Sequence, residues 1–288
     1  RQTGFTLTNN ADSLATLKTS PYKAILLAEK PQGDQVGYTI DSIPGALTLE
    51  QITAAGLNQL YNRLDSVHPG FFLMIEAGNI DWAAHANDGG AVIKEILNFQ
   101  KSIDIAYQFY LQHPDETLII VTADHDTGGM ALGRKENRKP NLSLADFQRI
   151  SKDRFSDYCK ARCKEGAAFT WPMMRTFMQE NLGFFGKVDI TAEQEEQLKQ
   201  DFEKIFHQGR GRDEKTLYND FNQYAVQVFD LLNIKMGIGW TTSNHTGNFV
   251  PVYAVGAGAE NFGHNLNNTD IVELIYKITG AKKPMPYT

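Results

Sequence analysis

The sequence predicts an α/β fold: a mainly parallel sheet flanked by helices and interrupted by a mostly helical insertion. Three observations carry that reading. Short apolar or β-branched runs alternate with stretches of helical period. Two of those runs end in loops rich in carboxylates and histidine, where open α/β sheets gather their ligands. Between residues 135 and 235 the strand pattern gives way to helical, charged sequence. Residues 1–134 and 236–288 are therefore expected to form the α/β core, and 135–235 the insertion.

The elements follow in order. Gly4–Thr8 reads as a short strand, Asn9–Asp12 as a turn with a helix cap, and Ser13–Leu17 as the helix after it. Tyr22–Ala28 is a strand. Leu49–Leu60 has apolar positions at 49, 52, 57 and 60 and reads as a helix packed on the sheet. Phe71–Ile75 is too short to span a membrane and breaks at Glu76 and Gly78, as a buried parallel strand ends. A helix should begin at an Asn87 or Asp88 cap, present one broad face with Val92, Ile93, Ile96, Phe99, Ile103 and Ala106, and stop before His113-Pro114. It would pin the loop after Glu76 against the next strand, Leu118–Val121. Within 135–235, Thr191 followed by Gln194 resembles a capping box. Phe249–Val255 is a further strand.

Six potential metal ligands sit at the tips of these strands and in the loops beyond: Glu76, Asp81, His85, Asp124, His125 and His245. Asp81 and His85 are four apart, so one helical turn puts both on one face, within reach of a single ion. Asp124 and His125 directly follow the strand ending at Val121. His245 precedes its strand and would have to reach over from a loop. Mixed imidazole and carboxylate donors suit zinc, while the lone carboxylate of Glu76 suits a harder ion such as magnesium. Two zinc ions about 4 Å apart can hold both the attacking and the leaving oxygen of a displacement at phosphorus, which makes phosphoester hydrolysis the natural chemistry. Either Asp-His pair alone could be a hydrogen-bonded core feature; three such clusters together favour metal.

These residues carry a resemblance. The segments Glu76-x4-Asp81-x3-His85-x-Asn87-Asp88, Thr122-Ala123-Asp124-His125-Asp126-Thr127-Gly128-Gly129 and His245-Thr246-Gly247 resemble the three C-terminal metal motifs of the alkaline phosphatase family, in the family's order. Gly256–Phe262 leading to Asn268-Thr269-Asp270 is similar to the family's last loop and helix. The resemblance covers about residues 20–135 and 237–280. It implies that Asp81, His85 and His245 hold one zinc, that Asp124 and His125 belong to a second, and that Glu76 helps to bind one magnesium. It further implies hydrolysis of phosphate monoesters through a covalent phosphoryl-enzyme, in a periplasmic or secreted protein.

In the family, the nucleophile, the aspartate that bridges zinc and magnesium, the hydroxyl ligand of magnesium and the phosphate-binding arginine all precede the first of these motifs. No segment here matches them. Ala11-Asp12-Ser13-Leu14-Ala15 superficially resembles the nucleophile's setting, but its surroundings make Ser13 an exposed serine in a first helical turn. The catalytic nucleophile thus stays unassigned. A sheet lacking strands from that earlier half should leave an edge or apolar surface exposed, which invites a partner or a homodimer.

Composition excludes other classes. The 288 residues are 42% hydrophobic and 22% charged, ordinary for a globular protein. A net charge of -6 argues against nucleic-acid binding, and Arg134, Lys135, Arg138 and Lys139 read as a solvated loop. No apolar stretch approaches about 20 residues, and no apolar signal region opens the sequence. Cys159 and Cys163, four apart in a helical segment, are expected as free thiols. His68 and His113 precede prolines in turns; His207 and His264 read as surface residues, and Asp104 as a polar contact on its helix. Two other readings stay open: a two-zinc phosphodiesterase or phosphonate hydrolase, and a metal-binding domain that is inert alone.

Overall fold

The structure, a computed structural model, describes residues 5–8, 23–26, 37–67 and 69–281. Ser13, the helix read over Ser13–Leu17, and His68 lie outside the described residues. β1 (Phe5–Thr8) and β2 (Lys23–Leu26) pair in parallel, with Phe5 opposite Lys23, where the first two strands were expected. Helix α1 (Leu49–Tyr61) opens on a capping box that the sequence reading missed: Thr48 accepts from the Gln51 amide, and the Gln51 side chain accepts from the Thr48 amide.

Helices α2 (Asn79–His85) and α3 (Gly89–Gln112) are joined by the short turn Ala86–Asp88. The Asp88 side chain caps α3 by accepting from the Ala91 amide at 3.0 Å. At the far end the helix stops at His113, because a residue before proline is disfavoured in the α region. The buried face of α3 differs from the expected one. Val92 is buried, but Ile96 is exposed, and Glu95, Asn98 and Ser102 are buried instead. For Glu95 the reason is the 3-10 turn Thr39–Asp41, whose Thr39 amide donates to Glu95 Oε1 at 2.6 Å. A polar side chain on a helix can be buried where it meets a backbone donor.

Strands β3 (Leu118–Val121), β4 (Asp126–Thr127) and β5 (Ala131–Leu132) come next. Helices α4 (Lys152–Cys163), α5 (Trp171–Leu182) and α6 (Ala192–Phe202) lead to the hairpin of β6 (Glu214–Lys215) and β7 (Asp220–Phe221). Helix α6 carries the expected capping box at Thr191 and Gln194. Helix α7 (Gln223–Met236), β8 (Ile238–Gly239), β9 (His245–Thr246), β10 (Tyr253–Gly256) and α8 (Asn268–Thr279) complete the chain.

The sheet departs from a mainly parallel one. Among the strands of the described residues only β1 and β2 pair in parallel, beside an isolated parallel bridge of Phe184 with Val188; β3 with β10, β4 with β9, β5 with β8 and β6 with β7 are antiparallel. Phe71–Ile75, expected as a parallel strand, has no strand partner among the described residues. It nevertheless keeps the two-residue alternation of a strand. The Phe71 ring lies 6.0 Å from Phe109 of α3 and Leu73 reaches Gly56 of α1, while Phe72 and Met74 are 69% and 77% exposed.

The larger buried apolar cluster among the described residues lies in 135–235. Phe155, Met174, Met178, Leu182, Phe202 and Phe229 are sealed between α4, α5, α6 and α7, and the cluster continues into Ile238 of β8. Cys159 is buried within it, and both cysteines are free, as expected. Against this core lies a polar layer. Both oxygens of Asp41 accept from Ser151, from its amide and its hydroxyl, each at 2.8 Å.

Beside it, burial and then the nearby Asp88, Asp41 and Asp157 carboxylates push Asp153 up to about 7, against the opposing pull of Lys152. A carboxyl raised on folding binds a proton that the unfolded chain has already released, so its stabilising effect is complete below the unfolded value and is lost as pH rises through about 7. Thermal stability of the native chain should therefore fall, relative to an Asp153→Asn variant, between about pH 4 and about pH 7. Parallel pH profiles for the two proteins would sink this assignment.

Candidate metal centre

Helix α2 positions the first two ligands. Asp81 and His85 face the same way one turn apart, with His85 Nε2 3.4 Å from Asp81 Oδ1. His85 is only 2% exposed, and its Nδ1 lies 2.6 Å from the Ser243 carbonyl. A carbonyl only accepts, so Nδ1 carries the proton, and Nε2 is left with its lone pair aimed at the cluster.

The second and third motifs are held together as a short ladder. β4 and β9 pair with Thr127 opposite His245, and Thr246 donates its hydroxyl to Asp126. This register stacks the His125 and His245 rings, with centroids 3.5 Å apart and planes 21° apart. His245 Nε2 then stands 3.1 Å from His85 Nε2 and 4.0 Å from Asp81 Oδ1. Asp81, His125 and His245 each offer a ligand atom within 4.8 Å of the others.

Imidazole nitrogens and a carboxylate oxygen held this close repel one another unless something positive stands between them. A divalent cation with a taste for nitrogen and oxygen fits that donor set.

Of the six residues singled out by sequence, Asp81, His85, His125 and His245 are brought together. Asp124 stands at the rim: its side chain is exposed, with Oδ2 3.2 Å from His125 Nε2. Glu76 is apart from the cluster, exposed on the wall of a cleft of about 460 Å³ that it shares with Asn79, Trp82, Glu95 and Asn98. Asp104, His207 and His264 belong to no ligand cluster among the described residues. His207 instead bonds Glu203 and the Phe169 carbonyl, and His113 packs against Tyr61 and Phe109.

Three participants escaped the sequence reading. Thr127 donates its hydroxyl to Asp81 Oδ1 and lies 3.2 Å from His125 Nδ1, so it accepts there and orients both ligands. Its place two residues after His125 was the available signal. Gly128 adopts φ +77°, and a Cβ there would come within 2.6 Å of the Trp240 ring. Tyr218, at the tip of the β6–β7 hairpin, stacks on Trp82 with centroids 4.8 Å apart and meets His85 edge-on at 4.8 Å. Nothing local in sequence announces a partner more than 130 residues away.

With this geometry in view, comparison with known proteins is specific. The family model for alkaline phosphatase matches residues 1–281. Alkaline phosphatase 4 of Bacillus subtilis is 28% identical over 236 residues, which are 82% of this chain and 44% of that protein. The repressible alkaline phosphatase of Saccharomyces cerevisiae is 27% identical over 222 residues, 76% of this chain and 37% of that protein. The crystal structure of a cold-active alkaline phosphatase from Shewanella sp. superposes with a TM-score of 0.71 at 27% identity, covering 96% of this chain and 60% of that one. The Thermus thermophilus alkaline phosphatase shares the fold, with a TM-score of 0.70 at 21% identity over 98% of this chain and 57% of that one. The chain thus spans less than half the length of these curated relatives, yet almost all of it is matched, and it belongs to the alkaline phosphatase family.

Proposed function

We propose that this chain carries the metal-holding part of an alkaline phosphatase-type phosphomonoesterase. The observation that carries the reading is the convergence of Asp81, His85, His125 and His245 from three separate segments. In this reading Asp81, His85 and His245 hold one zinc, Asp124 and His125 belong to a second, and Glu76 contributes to a magnesium site. The exposed position of Asp124 and the cleft position of Glu76 leave both carboxylates reachable by groups outside the described residues. Bound divalent cations would supply charge stabilisation for the attacking and leaving oxygens of a phosphate monoester.

The chain's own residues do the rest. Ser243 holds His85 in the tautomer that presents Nε2, and Thr127 holds Asp81 and His125 in register. The Trp82–Tyr218 stack shields one side of His85 from solvent. We further read 1–134 with 236–288 as the α/β core and 135–235 as a helical insertion. Among the described residues no helix is long and apolar enough to cross a membrane. By family likeness we place the protein in the periplasm or outside the cell.

Two measurements test this. Phosphate release from an aryl phosphate monoester should require zinc and magnesium, vanish on chelation and exceed release from a matching diester. A faster diester reaction would turn the assignment to a phosphodiesterase, and absent turnover with zinc retained would make the chain a metal-binding part whose nucleophile lies elsewhere. Separately, His245→Ala and Asp81→Ala should each lower the zinc bound per chain while shifting the thermal unfolding midpoint little. Zinc content equal to that of the native chain in both variants would refute the first site.

A further inference from the structure

The turn Ala86–Asp88, which follows the helix bearing Asp81 and His85, is gripped at each of its three residues by a different contact from 135–235. Lys152 Nζ donates to the Ala86 carbonyl at 2.8 Å. Asn233 Nδ2 donates to the Asn87 carbonyl at 2.8 Å. The Asp88 carboxylate receives Gln148 Nε2 and the Lys152 amide, each at 2.7 Å. All three gripping side chains are nearly sealed from water, with Gln148 2%, Lys152 4% and Asn233 2% exposed.

The partner surface is shaped to admit them. A Cβ on Gly90 would stand 1.9 Å from Gln148 Oε1, and one on Gly89 would stand 2.7 Å from Asn233 Oδ1. The bare start of α3 lets these side chains close on the turn. Asn87 itself is held at φ +52°, a left-handed conformation that a non-glycine residue keeps only where its surroundings impose it.

We infer that 135–235 serves as a clamp that fixes the position of His85, with Lys152 as a positioning residue of the first metal site. This rests on the metal-site reading above. Burying an ammonium costs free energy that a methionine of similar length would avoid. Lys152 Nζ stands 4.6 Å from the centre of the Phe221 ring, a cation–π contact that offsets part of that cost. What the ammonium adds is a donor to a carbonyl at the C-terminal end of α2, where backbone acceptors lack helical partners and positive charge is favoured. Drawing that carbonyl in place sets the last turn of α2, and His85 is its last residue. The Tyr218 edge against His85 closes the same ring from the hairpin side.

The test uses the full chain and its Lys152→Met variant, each titrated with zinc against a chelator and each loaded with cobalt to read the visible ligand-field spectrum. Lys160→Met serves as the comparison, since Lys160 also donates to a backbone carbonyl, that of Asp220, but at the exposed side of α4. Lys152→Met should hold zinc about tenfold more weakly and change the cobalt band, while Lys160→Met leaves both as in the native chain. A Lys152→Met protein that melts earlier but keeps native zinc affinity and an unchanged cobalt band would overturn the clamp and leave a merely structural lysine. Should Lys152→Met fail to fold, Asn233→Ala carries the same comparison, with the same two outcomes deciding. A native chain that takes up no cobalt would instead sink the metal-site reading beneath the proposal.

Discussion

Asp88 buries a carboxylate at the start of a 24-residue helix, and a carboxylate taken out of water must find donors for its oxygens or give up its charge. Burial pushes its proton affinity up, and hydrogen bonds from Gln148, Ala91 and Lys152 push it back. Each donor left unpaired by its loss would cost about 1–3 kcal/mol. The consequence is architectural. One side chain caps α3, receives the N-terminal end of α4 and stands three residues from His85, so the helical segment cannot shift without disturbing the turn that follows His85. An apolar contact at the same place would allow sliding; hydrogen bonds of defined direction do not.

How much of this could be read beforehand depends on distance along the chain. The Asp81–His85 pair was legible because helical spacing alone aligns them, and the stop of α3 at His113 because the following proline enforces it. The family motifs singled out Asp81, His85, His125 and His245, which the fold brings close. They did not reveal that β4 and β9 would form a ladder, since two-residue strands carry no periodicity to detect. Glu95 broke the apolar-face rule because it meets the Thr39 amide 56 positions away, which hydrophobicity does not report. Lys152 and Asn233 sit on helices whose own patterns are unremarkable. Their roles exist only in partners 66 and 146 positions away.

The sheet was the element read with the least success, and the exposed face of Phe71–Ile75 gives the reason. Its alternation is that of a strand, and one side already packs on α1 and α3. Phe72 and Met74 on the other side are large, apolar and open, which a folded protein tolerates over contiguous area mainly where something binds. The same half of the problem recurs in the chemistry. The described residues gather imidazoles and carboxylates in one place, yet none of them stands out as a hydroxyl nucleophile.

The three motifs finally behave as one mechanical unit. Ser243 and His245 belong to the same loop, so that loop supplies one ligand directly and sets the tautomer of another. It is tied to the Asp124–Gly129 segment by backbone bonds from Gly128 to Asn244 at 2.9 Å and from Thr241 to Gly128 at 2.9 Å. The left-handed φ of Gly128 and its close approach to Trp240 are what permit those bonds, for a side chain there would collide with the indole. A displacement of the loop would therefore withdraw His245, release Nδ1 of His85 and loosen the stacked His125 ring together. The three histidines are coupled in this way, because the geometry that places each is the geometry that places all three.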